Sequence, residues 1–461
     1  MATTLKPYPA YKPAGVPWLQ QVPEHWDMLP NRGLVRKRKV LVGKRHKEYQ
    51  LLSLTKQGII VRDLSTGKGK FSADMGTSQE VRKGDLVFCL FDVPETPRTV
   101  GLSSHDGMIT SAYTVFETIG SGSAEYFDYY YRAMDDRKML GPLYSGLRNT
   151  IPLDRLLVAK TPLPPPDEQH LIVRYLHTLD AKVKRYIRTK RTLIARLQEQ
   201  KQAIIQRAVT RGLDPNVKLK PSGVEWLGEV PEHWLLRRFK FVAQIRSGQV
   251  DPRQAPFRSL VLIAPNHIQS GTGKLIAQQT AHEQGADSGK YLVEKGEVVY
   301  SKIRPNLRKA TIAPFNCLCS ADMYPISPSA LLLPEYLLLI ILSPQFTKFA
   351  VDTSMRAAMP KINREDLANC WLWFPDTVEQ QEILDSIERE GRPYDAGVAN
   401  SEREIQLMLE YHTRLIADVV TGAVDVREAA KTMENVAPVE EALADELELE
   451  TEVEEELDTS E

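Results

Sequence analysis

The chain contains an internal duplication, and this feature constrains its fold more than any other. The segment Ala14–Trp26 returns as Ser222–Trp234 at an offset of 208 residues, and Val-Pro-Glu-His-Trp is identical in both copies. Further pairs follow in the same order: Val81–Phe88 with Val293–Tyr300, Leu147-Arg148 with Met355-Arg356, Ile151-Pro152 with Met359-Pro360, and Glu168-Gln169 with Glu379-Gln380. An ordered series of this kind predicts two copies of one domain, each followed by a similar connecting segment.

The connecting segments have the periodicity of long helices. From Asp167 to about Arg211 the sequence has no Pro or Gly, and apolar residues recur in alternating steps of three and four. The second copy repeats this pattern and ends at Gly422, although the segment 391–393 is expected to break or kink it, because it contains Pro393. We expect the two helices to pair as an antiparallel coiled coil through Leu176, Leu179, Val183, Leu193, Leu197, Ile204, Ile405, Met408, Leu415 and Val419.

Short segments rich in β-branched and aromatic residues predict strands within each copy, and one helix is expected at 125–139 and another at 334–349. The predicted fold class is therefore α+β, with two similar mixed domains separated by two long helices and related by a pseudo-twofold internal repeat. The expected divisions are a first domain at 1–163, a central helix at 164–213, a second domain at 214–375, a distal helix at 376–427 and an acidic tail at 428–461.

The distribution of charge favours a polyanionic partner. The formal net charge is −1 over 461 residues, but the segment 433–461 holds thirteen Asp or Glu and no Lys or Arg. Without those thirteen negative charges, the first 432 residues carry +12, which is typical of a protein that contacts nucleic acid. The four cysteines are scattered and no segment resembles a signal peptide or a membrane span, so we expect a cytoplasmic protein.

The sequence lacks the motifs of a catalytic centre. Gly271–Lys274 resembles a phosphate-binding loop, but the preceding Gly and the following Ser or Thr are absent. No Gly-rich strand-to-helix turn suggests a bound nucleotide or methyl donor. His25 and His233 have no second His or Cys at metal spacing and are expected to cap or pack the adjacent Trp. We therefore expect no catalytic residues, no metal and no bound cofactor in this chain.

Clusters of basic residues are the candidates for contact with DNA, because duplex DNA requires Lys and Arg for its phosphates and rigidly held polar groups for its bases. The first copy supplies Lys44, Arg45, Lys68, Lys70 and Arg148. The second copy supplies Lys274, Lys302, Arg304, Arg308 and Arg356. For any one of these residues, a solvated surface charge or a structural role remains an equal alternative.

These segments resemble the specificity subunits of Type I restriction-modification systems. The resemblance rests on the entry motif Gly223–Trp234, the junction Pro164–Gln169 and the helical segment Arg191–Ile205, and it spans nearly the whole chain. It implies two target recognition domains that read a bipartite double-stranded DNA site with an unread spacer. It also implies assembly with two modification (methyltransferase) subunits and one or two restriction (translocase and nuclease) subunits, which would bind S-adenosylmethionine, ATP and Mg²⁺. The irregular segment at 391–393 and the acidic tail depart from the family pattern.

Two other classes of function remain as alternatives. A stand-alone nuclease or methyltransferase would be expected to change DNA without partners, and a coiled-coil scaffold would have no affinity for DNA. The basic body and the duplicated domains favour DNA recognition over a scaffold. The target bases and the spacer length cannot be deduced from the sequence, because they depend on loop geometry.

Overall fold

The computed structural model describes residues 5–56, 58–62, 75–96, 98–354 and 360–433. It divides into two compact units. Among the described residues, unit 1 comprises those in 5–190 and 403–433, and unit 2 comprises those in 191–402. Each unit therefore contains part of both long helices.

The described residues before position 212 form twelve strands and three helices. The strands are β1 (Tyr11–Val16), β2 (Leu19–Pro23), β3 (Asp27–Pro30), β4 (Val35–Arg38), β5 (Leu52–Thr55), β6 (Gly58–Val61), β7 (Gln79–Val81), β8 (Leu86–Phe88), β9 (Val100–Leu102), β10 (Gly107–Ile109), β11 (Thr114–Thr118) and β12 (Lys160–Leu163). The helices are α1 (Ala124–Asp136), α2 (Leu153–Val158) and the long α3 (Pro166–Arg211).

The described residues from position 212 onward form a second series of elements. The strands are β13 (Leu219–Pro221), β14 (Glu229–Pro231), β15 (Leu235–Arg238), β16 (Ala243–Ile245), β17 (Gln249–Val250), β18 (Leu262–Ile263), β19 (Lys290–Val293), β20 (Val298–Ser301), β21 (Ala310–Ile312), β22 (Cys317–Cys319), β23 (Met323–Pro328) and β24 (Trp371–Phe374). The helices are α4 (Pro334–Ile341), α5 (Pro344–Ser354), α6 (Arg364–Asn369), the long α7 (Thr377–Val420) and α8 (Arg427–Lys431).

Each unit is built around the same four-stranded antiparallel sheet. The strand order is β4-β11-β8-β9 in unit 1 and β16-β23-β20-β21 in unit 2. A second antiparallel pair places the strand before each long helix beside an early strand, β12 with β3 and β24 with β15. The helix after β11 or β23 packs its apolar side chains into the core of its own unit. These matching elements confirm the predicted α+β class and the internal repeat.

Outside this shared sheet the two units differ. Unit 1 adds the hairpin β5-β6 and the pair β7-β10. Unit 2 instead has a second four-stranded sheet, β17-β19-β22-β18, in which β18 and β22 are parallel. The two copies therefore share a frame and vary in the strands and loops attached to it.

The long helices run antiparallel within each unit. In unit 1, Lys190 on α3 forms an ion pair of 2.6 Å with Glu404 on α7. In unit 2, Lys201 on α3 forms one of 2.7 Å with Asp395 on α7. Both helices end at a glycine in the left-handed conformation, Gly212 with φ +74° and Gly422 with φ +75°, as the sequence predicts.

The distal helix is not broken at 391–393, since α7 continues from Thr377 to Val420 with Pro393 inside it. Packing against α3 explains this result. A Cβ on Gly391 would lie 3.2 Å from Lys201 Cε, and one on Gly397 would lie 3.0 Å from Leu197 Cδ1. The two glycines therefore allow α3 to approach closely, and this contact together with the Lys201–Asp395 pair offsets the hydrogen bond that proline cannot donate.

Two further expectations need correction. The single helix expected at 334–349 is two helices, because Pro344 starts α5 directly after α4 has ended. The pairing of Ile151 with Met359 is displaced by three residues. The structure places Ile362 in the position of Ile151. The N–H of Ile151 donates to the carbonyl of Leu90 shortly before α2, and the N–H of Ile362 donates to the carbonyl of Lys302 shortly before α6.

Candidate nucleic-acid interface

The repeated His-Trp pair holds a carboxylate at the start of each long helix. In unit 1, Trp26 Nε1 donates to Glu168 Oε1 at 3.0 Å, and His25 Nε2 lies 2.8 Å from Glu168 Oε2. The hydroxyl of Tyr8 donates to the same carboxylate at 2.7 Å. Burial and this bond to Glu168 raise the pKa of Tyr8 well above its ordinary value. The expectation that His25 packs beside the Trp is thus extended, because both residues anchor α3.

Unit 2 repeats the same anchor on α7. Trp234 Nε1 donates to Glu379 Oε1 at 3.0 Å, and His233 Nε2 lies 2.8 Å from Glu379 Oε2. The residue after each glutamate bonds to the backbone of the loop before α1 or α4. Gln169 accepts from Ser123 N at 2.8 Å, and Gln380 accepts from Leu333 N at 2.8 Å. In each unit the entry motif and the loop before α1 or α4 are therefore joined by hydrogen bonds to the start of a long helix.

A second repeated contact stabilises the turn that enters β8 or β20. Arg38 forms an ion pair with Asp85 in unit 1, and Arg246 forms one of 2.8 Å with Glu297 in unit 2. The same acidic side chains accept from the backbone N–H of Arg82 and Glu294, both at 2.7 Å. Sequence reasoning missed this pair, although Arg38 and Arg246 stand 208 residues apart, as in the entry motif.

The loop that leaves β8 or β20 has an unusual backbone conformation in both units. Asp92 in unit 1 and Arg304 in unit 2 each have φ +46°, in the left-handed region that non-glycine residues seldom adopt. Their N–H groups donate to the carbonyls of Arg148 at 3.0 Å and Pro360 at 2.9 Å. In unit 2 a second arginine, Arg308, has φ +48°. Backbone strain of this kind is concentrated at functional sites.

Three of the predicted basic residues in unit 2 lie in two loops that contact each other. The backbone N–H of Gly271 donates to the carbonyl of Arg308 at 3.1 Å, and a Cβ at Gly271 would lie 3.0 Å from the guanidinium Nη2 of Arg308. Lys274 is exposed on the Gly271 loop, and Arg304 is exposed on the Arg308 loop. These residues therefore form one basic surface, which we call the unit 2 basic loops (269–274 and 303–309).

The other predicted residues have different surroundings. Lys302 donates from Nζ to the carbonyl of Ala321 at 2.6 Å and lies 5.5 Å from the ring centre of Tyr324, so its charge serves the fold. Lys44 and Arg45 are exposed on a short 3-10 helix in unit 1, where Arg45 bonds to Tyr49 at 3.2 Å. Lys68, Lys70 and Arg356 lie outside the described residues.

Arg148 is both exposed and oriented. Its Nε donates to Asp92 Oδ1 at 3.0 Å, its Nη2 donates to Asp92 Oδ2, and the arginine side chain is 74% exposed. The hydrogen bond from Arg148 holds the pKa of Asp92 below its ordinary value. The guanidinium thus turns its Nε edge toward Asp92 and leaves its Nη1 edge toward solvent. The sequence could identify Arg148 but not its partner 56 positions earlier.

The predicted coiled-coil residues are not equally buried. Leu176, Val183, Leu415 and Val419 are buried in unit 1. Leu193 is 40% exposed, and its neighbour Ile194 is the more buried of the two. Leu179, Leu197, Ile204, Ile405 and Met408 are half-buried.

A partly buried polar network joins α1 to both long helices in unit 1. His412 Nε2 lies 2.7 Å from Asp180 Oδ1, and the hydroxyl of Tyr129 donates to Asp180 Oδ2 at 2.6 Å. Burial acts to raise the pKa of Asp180, but the hydrogen bonds from His412 and Tyr129 outweigh it and lower this pKa.

The described residues contain no candidate metal site and no candidate membrane span. No group of three His, Cys, Asp or Glu side chains in this part of the chain could hold a metal ion. No helix among the same residues is both long and apolar enough to span a membrane.

Comparison with known proteins shows that part of the chain is similar to one family. Residues 259–395 match the family described as Type I restriction modification DNA specificity domain. The Type I restriction enzyme EcoDI specificity subunit of Escherichia coli is 34% identical to this chain over 263 residues. That alignment covers 53% of this chain and 58% of the relative, so the match spans little more than half of the relative's length.

The fold also matches a solved structure. Its description is the structural basis underlying complex assembly and conformational transition of the type I R-M system. The TM-score is 0.57 and the sequence identity is 14%, with 87% of this chain and 99% of that chain covered. The similarity therefore concerns the arrangement of elements rather than individual side chains.

Proposed function

We propose that this chain is a specificity subunit of a Type I restriction-modification system and that it recognises double-stranded DNA through its two units. Each unit contacts one half of a bipartite target, and an unread spacer separates the halves. One observation carries the proposal: the two units share one anchored frame, while the loops mounted on that frame differ. A conserved frame with divergent exposed loops is expected where two similar scaffolds read two different half-sites.

The unit 2 basic loops supply the groups that such recognition requires. Arg304 and Lys274 are exposed, and the loops that carry them are held by backbone hydrogen bonds to each other and to the frame. Exposed cations bind phosphates, and rigid placement lets a side chain address the edge of a base. In unit 1, Arg148, Lys44 and Arg45 have the corresponding role.

The chemistry belongs to partner subunits in this proposal. Two modification subunits carry S-adenosylmethionine, and one or two restriction subunits use ATP and Mg²⁺, while this chain contributes no catalytic group. The complex acts on DNA in the cytoplasm. The side chains of Leu407 and Tyr411, which are 57% and 55% exposed, stand one helical turn apart on α7. We assign these two residues to a surface that contacts a partner subunit.

The experiment that tests the function uses the chain co-expressed with its modification partners. The complex should retain duplex DNA with an affinity that falls steeply as salt is raised, because bound phosphates release their counterions on dissociation. It should also prefer one bipartite sequence over a scrambled duplex of equal length. The isolated chain, incubated with DNA, Mg²⁺, ATP and a methyl donor, should leave the DNA unchanged. Equal affinity for both duplexes, or modification by the chain alone, would contradict the proposal.

A further inference from the structure

The two units place an arginine at the same point of the frame by different means. Asp92 and Arg304 occupy equivalent positions. Asp92 lies two residues after Leu90, whose carbonyl accepts from Ile151 N, and Arg304 lies two residues after Lys302, whose carbonyl accepts from Ile362 N. Both residues have φ +46°. In unit 2 the residue at this position is itself an arginine. In unit 1 it is an aspartate that forms an ion pair with Arg148.

The backbone contacts show that this position is rigid. In unit 2, Arg304 N donates to Pro360 O at 2.9 Å, and Arg304 O accepts from Leu307 N at 2.9 Å. An antiparallel bridge joins the preceding residue, Ile303, to Lys361. In unit 1, Asp92 N donates to Arg148 O at 3.0 Å, and Asp92 O accepts from Glu95 N at 2.9 Å. The left-handed conformation is thus held from both sides in each unit.

The arginine side chains are available to a ligand. Arg304 is exposed, and no ion pair joins it to another residue in the described part of the chain. Arg148 uses its Nε and Nη2 toward Asp92 and keeps the edge formed by Nη1 and Nη2 toward solvent. Two parallel N–H groups on that edge match the O6 and N7 acceptors of guanine in the major groove.

We propose that Arg304 and Arg148 each read one guanine, in the half-site of unit 2 and of unit 1 respectively, and that Asp92 is a positioning residue for Arg148. This inference rests on the proposed function and deepens it by naming the base and the side chain. A guanidinium can donate two parallel hydrogen bonds to a phosphate as well as to a guanine. The O6 and N7 acceptors of guanine have a fixed place in the major groove, so this contact requires a side chain that is held in one orientation. The backbone contacts of Arg304 and the Asp92 contact of Arg148 supply that orientation.

The test is selection of binding sites from a randomised duplex library by the full-length chain with its modification partners. The wild-type complex, Arg304→Lys, Asp92→Asn and Arg148→Lys are compared. We expect Arg304→Lys to abolish the preference for one guanine in one half-site, and Arg148→Lys to do so in the other half-site. The expected loss of discrimination is about fivefold to a hundredfold at that single position. Asp92→Asn should weaken the preference at the Arg148 position alone.

Matched controls separate reading from charge and from folding. Lys274→Gln should lower the affinity for all sequences to a similar extent, and Asp154→Asn, at an exposed carboxylate elsewhere in unit 1, should leave the base preferences unchanged. Asparagine tolerates the left-handed conformation, so Asp92→Asn keeps the backbone of the loop. Retained guanine preference in both lysine variants would overturn the inference and assign the two arginines to phosphate contacts. A wild-type complex without any sequence preference would instead contradict the proposed function.

Discussion

Trp26 donates its indole N–H to the carboxylate of Glu168 at 3.0 Å, across 142 positions of the sequence. Trp234 and Glu379 make the same contact at the same distance in unit 2. The repeated entry motif is therefore an anchor for the start of a long helix in each unit.

Removing the carboxylate of the unit 1 anchor should lower the free energy of unfolding more than removing the one in unit 2. Glu168 is almost fully buried and accepts from three side chains, so Glu168→Ala leaves buried donors unpaired and should lower the free energy of unfolding by about 1–3 kcal/mol. Glu379 is 25% exposed, so water can replace part of its contacts and Glu379→Ala should cost less. Urea denaturation measures both values. The control is Glu199→Ala, at an exposed position of α3. An equal decrease in the free energy of unfolding for Glu168→Ala and Glu199→Ala would contradict the role of Glu168 as an anchor.

Replacement of Pro393 should stabilise α7. The proline lies inside a continuous helix and cannot donate the N–H that bonds the preceding turn. We expect Pro393→Ala to raise the free energy of unfolding by up to about 3 kcal/mol. The inverse substitution, Ala399→Pro at an exposed position of α7, should lower the free energy of unfolding by a similar amount. Calorimetric unfolding compares the two variants, and destabilisation by Pro393→Ala would show that the proline has a packing role.

The network around Asp180 should make unit 1 sensitive to acid. The folded pKa of Asp180 is lowered, so its ionised form stabilises the fold above the unfolded pKa of about 3.9, and this stabilisation disappears as the pH falls through the lower folded value. Asp180→Asn should therefore be less stable than the wild type at pH 6, and the difference should narrow progressively below about pH 4. Urea midpoints over this range provide the measurement. A difference that does not change with pH would exclude ionisation as the cause.

The exposed apolar residues of α7 should contribute to contact with a partner. Leu407→Ser and Tyr411→Ser remove apolar surface without touching the core of unit 1, so stability should change by less than about 0.5 kcal/mol. Copurification of the modification subunits should nevertheless fall. Gln406→Ser, on the same helix, is the control. Full copurification by the Leu407 and Tyr411 double variant would place the contact elsewhere.

Much of the frame could be predicted from the sequence because it depends on local signals. The repeat identified equivalent residues such as Trp26 and Trp234, and heptad spacing followed by glycine predicted the end of α3 at Arg211. The continuity of α7 through Pro393 could not be predicted, since it depends on packing against residues of α3 that are distant in sequence.

The candidate site was harder to predict for the same physical reason. Basic composition indicated Arg148 and Arg304, but the left-handed backbone of Arg304 and the Asp92–Arg148 pair arise from contacts across loops. Sequence alignment also matched Arg148 with Arg356, which lies outside the described residues, so this correspondence stays a prediction.

The most direct test of the account is a map of methylated adenines in a host genome that expresses this chain with its partners. The map should show two short blocks of defined sequence separated by a spacer of constant length. A variant is then made in which only the unit 2 basic loops, residues 269–274 and 303–309, are replaced by loops of different sequence. This replacement should change one block and leave the other block and the spacer intact. A single continuous motif, or a change in both blocks after this exchange, would contradict the claim that each unit reads its own half-site.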